Sequence, residues 1–152
     1  MDTSQIFKLC KNGKFAEIKE LCENGYDVNI CDNEGYTTFH YACISGNIEL
    51  VKYLSNYCDP LKRTKNQTTS AHFACMSGNH DVIDFVLKYD PKQINYQNIN
   101  GDTPLHFAFN NPQNHKSYDF LIEKGGNPYI NNYRYGRYTP VQYLLGDKFS
   151  DH

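Results

Sequence analysis

At 152 residues the chain is long enough for one compact domain. Its formal charge of −2 and pI near 6.3 give no general attraction for phosphate backbones or anionic lipid, which argues against nucleic acid or a membrane as its partner. No apolar run approaches the roughly 20 residues needed to span a bilayer, and Met1-Asp2-Thr3-Ser4-Gln5 has neither the basic start nor the apolar core of a secretory leader. The expectation is a soluble monomer of the cytoplasm, with the nucleus also open to it.

Residues 2–31 read as a degenerate first unit. Ile6, Leu9 and Cys10, then Ile18, Leu21 and Cys22, form two apolar stripes at helical spacing around Lys11-Asn12-Gly13-Lys14, which predicts a helical hairpin. Asn24-Gly25-Tyr26-Asp27-Val28-Asn29 opens the first connecting loop, where Gly25 supplies the left-handed geometry that ends a helix. Residues 32–63 carry turn chemistry at Asp32-Asn33-Glu34-Gly35, an inner helix from Thr38 to Ser45, a break at Gly46 and an outer helix from Ile48 to Leu54.

Residues 64–97 repeat this plan with Ser77-Gly78-Asn79 as the break, but their exit, Lys88 to Asn95, holds extra residues and predicts a local irregularity. Residues 98–131 have the clearest inner helix. There Pro112 stands where Gly46 and Gly78 stand upstream, so the outer helix is expected to start beyond it, near His115. Residues 132–152 contain one more inner helix, ended by Gly146, with no complete outer helix after it. They read as an incomplete cap, or as the edge of a segment of a longer protein.

The repeat is carried by Thr103-Pro104-Leu105-His106-Phe107-Ala108-Phe109 and its weaker copies. Thr37-Thr38-Phe39-His40-Tyr41-Ala42-Cys43 and Thr69-Ser70-Ala71-His72-Phe73-Ala74-Cys75 match it position by position, so that the histidines fall 32 and then 34 residues apart. Each threonine is an N-cap candidate, and Pro104 fixes φ at the first helical position. Leu105, Ala108 and Phe109 share one face that a lone helix cannot bury, so a neighbouring unit must cover it. Gly35 and Gly101 precede two of the copies by the same offset, and Gln67 takes that place in the other.

This pattern of Gly, one residue, Thr-Pro-Leu-His, one residue and Ala at a period near 33 resembles the ankyrin repeat. The resemblance covers most of the chain. It implies an all-α solenoid of stacked helix-turn-helix units joined by β-turn or hairpin loops, one domain from 1 to 152. It also implies a non-catalytic protein–protein interaction module without a cofactor.

Candidate chemical sites find little support. Equivalent side chains on stacked units lie several times farther apart than zinc coordination allows, so His40, His72 and His106 are expected to bond loop backbone instead. His80 and His115 fall at helix starts and are expected at the surface. Cys10, Cys43 and Cys75 are one structural position repeated, 33 and 32 residues apart. Helices about 10 Å apart cannot bring such positions into a disulfide, which predicts reduced core thiols. The three-residue step from His40 to Cys43 and from His72 to Cys75 follows from the repeat and is no evidence of a nucleophile.

What remains is the surface that the fold leaves free. The family resemblance assigns binding to turn tips and the exposed side of the inner helices, a concave face. On this chain those positions are Asn33, Glu34, Tyr36, Ile44 and Ser45, then Lys65, Asn66, Thr68, Met76 and Ser77, then Ile99, Asn100, Asp102, Asn110 and Asn111. Stacking does not account for Tyr36, Ile44, Met76 or Ile99. Arg134, Tyr135 and Tyr138 add the arginine and aromatic types enriched in interface hot spots. Leu21 with Asp27-Val28-Asn29 also resembles the ankyrin loops accepted by asparaginyl hydroxylases, which marks Asn29 for hydroxylation. The expected function is binding of another protein, as adaptor or competitive inhibitor; the alternative is a regulatory ankyrin segment of a larger enzyme or channel.

Overall fold

The computed structural model describes residues 1–134 and 136–146. Helices α1 (Thr3–Lys11), α3 (Thr38–Ser45), α5 (Ser70–Ser77), α7 (Pro104–Phe109) and α9 (Pro140–Leu145) are the inner row, each packed on the next. Helices α2 (Phe15–Glu23), α4 (Ile48–Leu54), α6 (His80–Leu87) and α8 (Tyr118–Glu123) are the outer row. The predicted bounds of α3 and α4 match the structure residue for residue. Ala42, Ala74 and Ala108 are completely buried where the inner helices meet, and Cys10, Cys43, Cys75 and Phe109 occupy the adjoining core position.

A capping device explains why every unit from the second onward starts its inner helix at the same place. Thr37 Oγ1 accepts the backbone N–H of His40 at 3.1 Å while Thr37 donates its own N–H to His40 Nδ1 at 3.0 Å. Thr69 with His72, Thr103 with His106 and Thr139 with Gln142 repeat the exchange. It is a capping box with histidine in the position usually held by Glu or Gln. The far nitrogen of each ring then reaches a downstream carbonyl: His40 Nε2 bonds Lys62 O at 2.8 Å, His72 Nε2 bonds Asp102 O at 2.7 Å and His106 Nε2 bonds Tyr138 O at 2.8 Å. One side chain therefore starts a helix and ties two turns together.

The turn tips form a second ladder. Lys65 donates its N–H to Glu34 O, Ile99 to Asn66 O and Tyr133 to Asn100 O, at 3.0, 2.9 and 2.8 Å. The closeness of that ladder sets the conformation at the tip. Gly35 sits at φ +82°, and a Cβ there would lie 2.9 Å from Lys65 N. Gln67 holds the equivalent place at φ +62°, so a side chain is carried in backbone that favours glycine.

The outer helix of the third full unit, α8, starts at Tyr118, beyond Pro112 as expected and three residues past His115. What is corrected is the expectation that His115 lies at the surface. Pro112, capped by Asn111 through the Gln113 N–H at 3.1 Å, opens a 3-10 turn over Pro112–Ser117 that leads into α8. A proline at the first helical position loses no bond, because that N–H has no partner in the helix. His115 is correspondingly half-buried, with Nε2 on Phe109 O at 2.9 Å. The extra residues after α6 form a 3-10 turn at Pro91–Asn95, as an irregular exit requires. The tail of the incomplete cap, from Asp147 onward, lies outside the described residues, as does Tyr135.

Candidate functional site

The inner-helix face carries an aromatic run. The residue after each capping position is aromatic in four successive units: Tyr41, Phe73, Phe107 and Tyr143. The first three of these rings join Phe7 and Tyr36 in a continuous floor, with Phe7 to Tyr41 at 5.4 Å, Tyr36 to Tyr41 at 5.4 Å, Tyr36 to Phe73 at 5.1 Å and Phe73 to Phe107 at 6.2 Å between centroids. Ile44 and Met76 lie half-buried beside it. Above the floor are two hollows, about 440 Å³ near Tyr36 and about 400 Å³ near Arg134, which share Met76 and Phe107 in their walls. In the sequence this run is hidden, because Tyr41, Phe73 and Phe107 sit inside the repeat motif; their shared aromatic character is the available signal.

Of the residues singled out from the sequence, Glu34, Tyr36, Ile44, Met76, Asp102, Asn110 and Arg134 line these hollows. Asn33 and Glu34, Lys65 and Asn66, and Ile99 and Asn100 are exposed at successive tips, Ile99 to 63%. Asn110 is exposed at the end of α7, and Tyr138 is half-buried against Tyr143 at 5.8 Å. Asn29 is exposed, with its N–H on the Asp27 carboxylate at 2.9 Å.

Others are engaged by the fold. Thr68 and Asp102, expected at the surface, are 4% and 3% exposed. Thr68 Oγ1 accepts from Asn98 Nδ2 at 3.1 Å, while the Asp102 carboxylate takes Asn132 Nδ2 at 2.9 Å and Arg134 Nε and Nη2 at 3.2 and 2.8 Å. These bonds join one tip to the next, which is why both side chains turn inward. Ser45 and Ser77 donate to Ala42 O and Ala74 O at 2.6 Å and cap the ends of their helices; Asn111 is a cap as well. Tyr36 also departs from the expectation that nothing internal accounts for it, since its ring packs on Phe73 and Tyr41.

The titratable groups on this face are set by burial. Desolvation pushes His40 and His72 down to about 4, against the upward pull of the carbonyl each one bonds, and pushes His106 down as well. All three are neutral at neutral pH. Cys43 and Cys75, the cysteines that share a helix with a histidine, are buried thiols raised far above their ordinary value, and Cys10 is pushed up to about 12. Those thiols do not supply a nucleophilic thiolate. Among the described residues no group of three or more His, Cys, Asp or Glu side chains is placed to hold a metal ion.

Comparison with known proteins places this architecture. A family model for ankyrin repeats (many copies) matches residues 6–54, and one for ankyrin repeats (3 copies) matches residues 56–132. The chain belongs to the ankyrin repeat family. Arrays of this family are protein–protein interaction modules and are generally non-catalytic.

This ankyrin chain is 36% identical over 70 residues to the 2-5A-dependent ribonuclease of Mus musculus, covering 45% of the chain and 10% of that protein. It is 43% identical over 51 residues to palmitoyltransferase ZDHHC17 of Danio rerio, covering 34% of the chain and 8% of the relative. It is 35% identical over 60 residues to ankyrin repeat domain-containing protein 46 of Rattus norvegicus, covering 37% and 26%. The chain thus spans about a quarter or less of the length of these relatives. No described helix is long and apolar enough to cross a membrane.

Proposed function

We propose that the array binds a partner protein through its turn tips and inner helices, the concave face of an ankyrin stack, and acts as an adaptor or as a competitive inhibitor. The observation that carries this reading is the aromatic floor from Tyr36 to Phe107, flanked by half-buried Ile44 and Met76 and topped by two open hollows. Apolar and aromatic surface left open on one side of a folded chain is the kind of surface that partners cover. In this reading the array works as a cytoplasmic monomer, with neither nucleic acid nor a membrane as its partner.

The test is affinity capture from native cytosol with matched variants. Tyr36→Ala and Met76→Ala should each weaken capture of the partner, by about 1 kcal/mol or more for a hot-spot residue, while Lys52→Ala and Asp84→Ala on the outer helices should not. The opposite pattern would move the interface to the outer row. A second reading, that this is a regulatory ankyrin segment of a larger enzyme, draws on the partial coverage of relatives named as a ribonuclease and a palmitoyltransferase. A transcript whose reading frame encodes no further domain on either side of these residues would refute it.

A further inference from the structure

We propose that the hollow over Tyr36, Tyr41 and Phe73 receives a cationic side chain, arginine or lysine, from the partner protein; the proposal rests on the inner-helix reading above. Three aromatic rings line it, with Tyr36 at 5.4 Å from Tyr41 and 5.1 Å from Phe73 between centroids. The π faces of such rings attract a cation through the ring quadrupole, most strongly where water is displaced. Aromatic floor alone would serve an apolar side chain equally well. The wall decides between them, because it carries Asp32 and Glu34.

The charge of Asp32 is not neutralised by its hydrogen bonds. Its carboxylate accepts the Glu34 and Tyr36 N–H groups at 3.0 and 2.9 Å and the Tyr41 hydroxyl, all neutral donors. Glu34 is exposed, and the ion pairs among the described residues engage Asp84 and Asp102 instead. Lys11 lines the same hollow but pairs with neither carboxylate, so two negative charges face one positive charge. The Tyr41 hydroxyl, by donating to Asp32, pushes electron density into its own ring and strengthens the attraction of that face for a cation. The phenol of Tyr36 is held above its ordinary value, first by burial and then by the charges of Asp32 and Glu34. An acidic side chain would be repelled, and an apolar one would leave both carboxylates facing hydrocarbon.

The test is an NMR titration of the aromatic ¹H–¹³C signals of the whole chain with four probes: the N-acetyl amides of arginine, lysine, norleucine and glutamate. The arginine or lysine probe should move the Tyr36, Tyr41 and Phe73 signals saturably and bind at least about threefold more tightly than norleucine, with no response to glutamate. Glu34→Gln and Asp32→Asn should each weaken the cationic probes about threefold. If Asp32→Asn unfolds the turn, the exposed Glu34→Gln variant decides alone. Norleucine binding as tightly as the cations, an unchanged affinity in Glu34→Gln, or rings unmoved by every probe would overturn the proposal. The norleucine result would still leave an apolar docking face, whereas loss of partner capture only in the outer-helix variants would remove the face itself.

Discussion

Acidification is the perturbation that most directly tests the capping histidines. Thr37 donates its N–H to His40 Nδ1, and Thr69 and Thr103 do the same to His72 and His106, so each ring carries its proton on Nε2 and gives it to a downstream carbonyl. Adding a proton at Nδ1 removes one of these bonds and places a charge in a buried site. His40 and His72 are accordingly held at about 4 in the folded chain against an ordinary 6.5, with burial the main cause. A depressed folded value means that the unfolded chain takes the proton first. The stabilisation is therefore complete above 6.5 and is lost as the pH falls toward 4. At pH 5 the loss is about 2 kcal/mol for each of these two histidines, and His106 is shifted in the same direction. Against a total stability on the order of 5–15 kcal/mol, the urea midpoint followed by circular dichroism should drop strongly between pH 7 and pH 5. A midpoint unchanged across that window would refute the reasoning. His72→Gln is the control, because Gln142 already fills the same role in the last unit, accepting the Thr139 N–H at 2.7 Å. That variant should keep the capping box and lose part of the pH slope; retention of the whole slope would also refute it.

Other consequences are simpler. Ala74 is completely buried between inner helices, so Ala74→Leu should overpack the stack by about 1–3 kcal/mol, and an unchanged urea midpoint would show that the helix register is misassigned. Gln67→Gly relieves a left-handed conformation at φ +62° and should raise stability by about 1 kcal/mol. Gly35→Ala should do the reverse, since the added Cβ meets Lys65 N. Equal melting temperatures for all three proteins would show that the tip geometry imposes no such demand.

Local punctuation is what made the fold legible. Thr37 and Gly46 bracket α3, and Asn47 starts α4 by accepting from Glu49 and Leu50 N–H, so the boundaries were written in adjacent residues. The histidine bonds were legible in kind, because three equivalent rings too far apart for a metal had to find backbone partners. The 3-10 turn at Pro112 was not, since proline is compatible both with breaking a helix and with starting one. The choice depended on Asn111 turning its side chain back onto Gln113 N. The burial of Thr68 and Asp102 was likewise out of reach: their partners Asn98, Asn132 and Arg134 lie about thirty residues downstream and converge only when the units stack.

The same comparison explains why repeat position alone misassigned part of the surface. Tyr36, Thr68, Asp102 and Tyr138 each stand directly before a capping threonine, yet the units use that position differently. In the first full unit it is aromatic floor beside uncompensated carboxylates. In the second it is a buried hydroxyl bonded to the next tip, and in the third a buried carboxylate bonded to Asn132 and Arg134. Where the position ties tip to tip, a change acts first on stacking, even at Asp102, which also lines the second hollow; where it lines the Tyr36 hollow without such a tie, a change acts first on what that hollow can hold. Arg134, half of whose side chain is exposed while its guanidinium grips Asp102, falls in the first class despite its hot-spot chemistry. On the proposed reading, discrimination among partners should therefore concentrate at the Tyr36 end of the face, while the Arg134–Asp102 pair ties the last described tip to the one before it.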